Sequence, residues 1–166
     1  MIKALLLMFF PGPTWERVVV ARRKWISILL FHFMPLLLLV SVAEGYGLVH
    51  WARPRGELSR LTAFPPKEAL IYEIIELLLA LVIVLIMAKL VKSLGETFPG
   101  RHNFTQSFTV AAYSLSPVFL MRALNALPDV SPWVTWGVGA TLAAMVLYHG
   151  LPRVMLPDPP HAFGLY

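Results

Sequence analysis

Apolar residues gather along this chain into four long, charge-poor runs. The first extends from Trp25 to Ala43 without a charge, the second from about Ala69 to Leu94, the third from about Phe104 to Leu127 and the fourth from about Pro132 to Leu151. A helix crossing a hydrocarbon core of about 30 Å needs about 20 mainly apolar residues, so each run predicts one membrane span. The stretches between them hold the backbone breakers Arg53-Pro54-Arg55-Gly56, Phe64-Pro65-Pro66, Phe98-Pro99-Gly100 and Pro128-Asp129. The expected fold is an all-α integral membrane protein: a four-span transmembrane helical bundle preceded by an amphipathic interfacial helix.

Ahead of the first run, Lys3 and the apolar stretch Ala4–Phe10 resemble a signal peptide. Pro11-Gly12-Pro13 stands where a small-residue cleavage site belongs, so that reading is rejected. Thr14 is placed to cap a short helix from Trp15 to Lys24. Its basic residues Arg17, Arg22, Arg23 and Lys24 abut the first span and suit a helix lying among lipid headgroups. The chain thus divides into an interfacial segment (1–24), a bundle (25–151) with an outer loop (44–68), and a tail (152–166). That loop holds three acids, four bases and three prolines, and reads as a connector or a partner-docking surface.

Composition agrees with lipid as the solvent. Apolar residues make up 58% and charged residues 14% of the chain, with a mean hydropathy of +0.70. A soluble domain carries about 25% charged residues. Disorder and coiled coil are excluded with it, and the lack of any cysteine removes disulfide scaffolds, iron–sulfur clusters, thiolate zinc and a cysteine nucleophile. The net charge of +5 does not point to nucleic acid, because no basic face with interleaved aromatics is visible. It fits the positive-inside rule and anionic lipids. With the amino terminus in the cytoplasm, nine basic residues lie inside against Arg53, Arg55, Arg60 and Lys67 outside, so both termini are expected to be cytoplasmic. Trp133 and Trp136 then mark the outer interface, Tyr148 and His149 the inner one.

Charged groups inside spans are costly, and are paired or functional. Glu73 and Glu76 lie three apart on the second helix. Glu76 and Arg122, on the third, fall roughly 9 and 10 Å outward of their span midpoints at about 1.5 Å per residue. An intramembrane ion pair of Glu73 and Glu76 with Arg122 is expected; a proton or cation site, and snorkelling to the interface, are the competing readings. The third run also carries a polar stripe, Thr105, Thr109, Tyr113 and Ser116, which reads as interhelical hydrogen bonding or a substrate path. Pro117 predicts a kink there, with Ser114 or Ser116 satisfying the freed carbonyl. In the fourth run Gly139 with Ala143, and Ala140 with Ala144, are small-residue pairs that permit close helix packing.

His32 and His149 are the candidates for haem ligation. Their expected separation of roughly 10 Å in depth argues against one shared haem, so no cofactor is predicted beyond bound lipids. Asn103-Phe104-Thr105 has the form of a glycosylation acceptor but falls on the expected inner face. No nucleophile elbow, phosphate loop, zincin helix or acidic metal cluster is present, and no small-molecule substrate is identified.

Three segments, Pro13-Thr14-Trp15-Glu16-Arg17-Val18, Ala111-Ala112-Tyr113-Ser114-Leu115-Ser116-Pro117 and Leu147-Tyr148-His149-Gly150-Leu151-Pro152, resemble the Yip family of Ypt/Rab-interacting membrane proteins in its bacterial form. The resemblance implies a helical bundle of usually five spans, a cytoplasmic amino terminus, and no known catalytic residues. The chain ends at Tyr166 where a fifth span would begin, so either that helix has been lost or this chain is part of a longer one; without it, one flank of the bundle is expected to be open to a partner helix. The expected function is a non-enzymatic scaffold or accessory subunit of a larger membrane complex, bound to lipids and other integral membrane subunits, in a bacterial inner membrane. A small permease using Glu73 and Glu76, and a GTPase-binding trafficking adaptor, are the alternatives.

Overall fold

The computed structural model describes residues 2–51, 53–55, 60–96 and 103–155. Two short helices, α1 (Ile2–Phe9) and α2 (Pro11–Val20), lead into four helical segments long and apolar enough to cross a bilayer. The first, Trp25–His50, is composite: α3 (Trp25–Ile28), a π turn over Leu29–Phe33, and α4 (Met34–His50). The others are α5 (Pro66–Glu96), α6 (Phe104–Arg122), continued by a 3-10 turn over Ala123–Ala126, and α7 (Pro132–Met155). Between α4 and α5, β1 (Arg53–Arg55) pairs antiparallel with β2 (Arg60–Thr62) in a small hairpin, with Arg53 opposite Thr62.

The π turn has a local cause. Pro35 has no N–H, and its ring crowds the carbonyl four residues back. The helix widens just before it, so that the N–H of Met34 bonds the carbonyl of Leu29. The turn buries His32 and Phe33 against the bundle.

α6 is the central helix. It is the least apolar of the four spans, yet every residue from Ser107 to Ser114 is buried. Asn103 starts it with a capping box: its side chain accepts from the Thr105 N–H at 3.2 Å and Gln106 returns a bond to the Asn103 N–H at 3.3 Å. The tripeptide that has the form of a glycosylation acceptor is thus a helix start. Thr109 and Ser116 turn their hydroxyls back onto the Thr105 and Ala112 carbonyls, at 2.6 and 2.8 Å. The helix continues through Pro117, but neither nearby serine serves the carbonyl that proline frees, because Ser116 bonds Ala112 and Ser114 has no partner among the described residues.

Against α6 pack α5 and α7, with size rather than polarity deciding which face turns inward. The buried residues of α5 are Ala69, Glu73, Ala80, Val84, Ala88, Val91 and Gly95, mostly small, while Leu70, Ile74, Leu78, Ile86 and Leu90 face outward. Gly139 of α7 sits so close to α6 that a Cβ there would lie 3.0 Å from the Val118 Cα. Gly47 of α4 does the same to the 3-10 turn, where a Cβ would lie 2.6 Å from the Ala126 Cα.

The amino-terminal segment departs from expectation. The helix starts at Pro11, not Trp15, since prolines suit a first helical turn. Thr14 is a buried residue inside it rather than its cap, and it ends at Val20. Ala4, Leu7, Trp15 and Val18 are buried in the bundle, so α1 and α2 are part of its core and not only an interfacial layer. The outer loop expected from residue 44 begins instead after His50, and α7 runs on to Met155. The remaining tail, 156–166, and the Phe98-Pro99-Gly100 breaker lie outside the described residues.

Candidate functional site

One polar cluster ties together all four spans. Arg122, at the end of α6, places Nε and Nη2 at 3.1 and 2.6 Å from Oε2 of Glu44 on α4, and Nη2 also lies 2.7 Å from Oε2 of Glu76 on α5. The other oxygen of Glu44 accepts from Asn125 Nδ2 at 3.2 Å, and the Thr135 hydroxyl of α7 lies 2.8 Å from Asn125 Oδ1. Two carboxylates thus face one guanidinium, with amide and hydroxyl groups completing the chain. In a low-dielectric interior such charges persist only when paired and hydrogen-bonded.

The sequence places Arg122 opposite Glu73 and Glu76, but only Glu76 reaches it. Its second carboxylate is Glu44, which run length alone assigns to the outer loop because it is the first charge after Ala43. The apolar residues Tyr46, Leu48, Val49 and Trp51 beyond it, with no proline before Pro54, are the signal that the helix goes on. Glu73 lines the groove between α4 and α5 and makes no ion pair with Arg122 among the described residues. A Cβ on Gly45 would touch its Cγ at 3.3 Å, and Ser41 is its polar neighbour, yet neither carboxylate oxygen completes a hydrogen bond among the described residues. A buried, unpartnered carboxyl contributes nothing to stability. Glu73→Gln is therefore expected to leave thermal unfolding in detergent unchanged or raised, whereas Glu44→Gln lowers it. A clear loss with Glu73→Gln would mean that the Glu73 carboxyl is engaged in a stabilising bond.

A second junction forms on the other side of the core. Trp15 is fully buried; its indole N–H donates to the Val146 carbonyl at 3.0 Å and its ring lies over Gly150, where a Cβ would collide with it. The same indole meets the Tyr113 ring edge-on at a centroid distance of 6.0 Å. Tyr113 in turn lies 4.1 Å from the His32 ring, and His32 Nε2 is 3.0 Å from Ser116 Oγ. His149 instead contacts the Met145 carbonyl at 2.9 Å through Nδ1. The three segments that carry the family resemblance, one before the first span, one in α6 and one closing α7, thus converge on one aromatic contact.

A family model, the Yip1 domain, matches residues 5–165. The chain belongs to the Yip1 family. It is an integral, multi-pass membrane protein with the helical architecture described above, and the family is not known for enzymatic activity. No curated protein and no solved structure matches it.

Grooves open between the spans of the Yip1 bundle. The larger, about 740 Å³, runs between α5 and α7 over a floor of α6. Ala140, Ala143 and Ala144 line one wall, Leu79 and Ile83 the other, and Ser114 the floor. Of the small-residue pairs, only Gly139 packs fully within the chain; Ala140 and Ala144 are exposed and face this groove. Ser114 Oγ, buried beneath it, has no hydrogen-bond partner among the described residues. The second groove, about 440 Å³ between α4 and α5, contains Glu73 and Ser41. Of the basic residues expected at the headgroups, Arg22, Arg23 and Lys24 border one pocket, while Arg17 is exposed and outside it.

Proposed function

We propose that this Yip1 protein is a non-enzymatic membrane scaffold that holds a transmembrane helix of another integral membrane protein in the groove between α5 and α7. The observation that carries this reading is the groove's chemistry. Lipid tails cover ordinary apolar faces without any partner, but they leave an intramembrane hydroxyl such as Ser114 unsatisfied. Alanines one helical turn apart, Ala140 and Ala144, offer the close backbone approach that a helix exploits and a disordered acyl chain does not. Both termini then face the cytoplasm of a bacterial inner membrane, which accords with the excess of basic residues on that side.

Ala144→Trp fills the groove from an exposed position. The expected result is loss of co-purifying membrane protein from mild detergent, with unfolding temperature unchanged. A lone, stable monomer from wild-type membranes, with nothing co-purifying, counts against the scaffold.

Glu73 favours a second reading, a small ion-coupled permease, because a buried carboxyl without a partner is a natural site for a proton or cation. A pH-dependent flux in proteoliposomes, abolished by Glu73→Gln with folding intact, promotes it over the scaffold.

A further inference from the structure

A pocket of about 380 Å³ lies where α1, the turn after α2, the start of α6 and the end of α7 meet. Lys3, Arg22, Arg23, Lys24 and Arg153 line it, and no carboxylate does among the described residues. None of the five has an acidic partner among those residues either; Arg153 spends one nitrogen on the His149 carbonyl at 2.8 Å. We propose that this pocket binds a phosphate-bearing anion, either a phospholipid headgroup or a soluble phosphate ester. The proposal concerns a different site from the helix groove and does not depend on it.

Several independent features converge on that chemistry. The cations come from three separate parts of the chain, brought together by the fold. The chain turns back after α2 at Arg22, whose φ of 41° is the one positive value at a non-glycine residue among those described. Burial, and then the like charge of Arg23, hold Lys3 below the usual lysine range, a penalty that a bound anion relieves. The amino-terminal end of α6, with its positive dipole end, contributes Asn103, Thr105 and Gln106 to the wall. A phosphate fits these donors best: it carries up to two negative charges and several acceptor oxygens, and guanidinium forks engage it through paired hydrogen bonds. Val18, Ile28 and Val154 provide an apolar wall for the carbon part of an ester.

The full chain in dodecyl maltoside tests this by calorimetric titration with dioctanoyl phosphatidic acid, glycerol 3-phosphate and dioctanoyl phosphatidylcholine. Saturable binding of phosphatidic acid or glycerol 3-phosphate is expected. Lys3→Gln with Arg23→Gln should weaken it about tenfold or more, given the usual strength of charge-assisted bonds. Arg22→Asn, which tolerates a positive φ, should act in the same direction. Arg17→Gln removes the same charge outside the pocket and should leave affinity within about twofold. Binding of phosphatidic acid that glycerol 3-phosphate does not compete identifies a lipid site, and full competition identifies a soluble ester. The proposal is overturned if neither phosphate probe saturates, if phosphatidylcholine binds equally well, or if Arg17→Gln weakens binding as much as the pocket variants.

Discussion

Arg122→Met is expected to destabilise the detergent-solubilised protein by about 3–5 kcal/mol, the usual cost of removing one member of a buried ion pair. The side chain is 13% exposed and serves two carboxylates, of which Glu44 is 6% exposed. Without the guanidinium, Glu44 keeps only Asn125, and Glu76 loses its ion partner. The cost arises from the carboxylates left behind rather than from the lost attraction alone. Adding Glu44→Gln and Glu76→Gln to Arg122→Met should therefore recover most of the loss, since a neutral replacement of a whole buried cluster is often nearly harmless. Thermal unfolding of the single and triple variants measures both effects. If the triple variant is no better than the single one, the cluster is not held together by charge.

The other large effect is expected at the aromatic junction. Trp15→Ala should cost about 3–5 kcal/mol, because it empties a fully buried indole site and orphans its bond to Val146. Gly150→Val attacks the same contact from the opposite side. Any Cβ at residue 150 overlaps the indole ring, and a helix backbone cannot yield as a flexible side chain can. A cost of about 3 kcal/mol is expected, at the upper end for overpacking. The decisive measurement is the pair: Trp15→Ala combined with Gly150→Val should cost no more than Trp15→Ala alone, since the indole that the introduced side chain would strike is gone. Additive losses would mean that the two residues act independently.

Much of this architecture was legible from local pattern. Three of the four runs coincide with α5, α6 and α7 to within a few residues, apart from the 3-10 extension of α6 and the last turn of α7. The family emerged from short segments that the fold then draws together around Trp15, Tyr113 and Gly150. The polar cluster was only partly legible. Matching depths point to Glu76 and Arg122 but do not say how each helix is rotated, so depth alone groups Glu73 with them although it lines the groove between α4 and α5. Run length sets Glu44 outside the membrane because a charge ordinarily ends a span, and the reason it does not is Arg122, 78 positions away. Asn125 and Thr135 carried no local signal at all, being ordinary polar residues beside a loop.

Lipid as solvent, four crossings and their approximate ends are properties of the amino-acid order alone, because each crossing needs only its own run of apolar residues and its own backbone hydrogen bonds. Which face of each helix turns inward is different. Apart from Glu73 and Glu76, the membrane-spanning part of α5 is apolar on every side, and in a bilayer no hydrophobic gain separates inside from outside, so side-chain size, the reach of single ion pairs and the contact made by α1 and α2 settle the arrangement. Those are relations between distant residues, and they exist only once the helices stand beside one another.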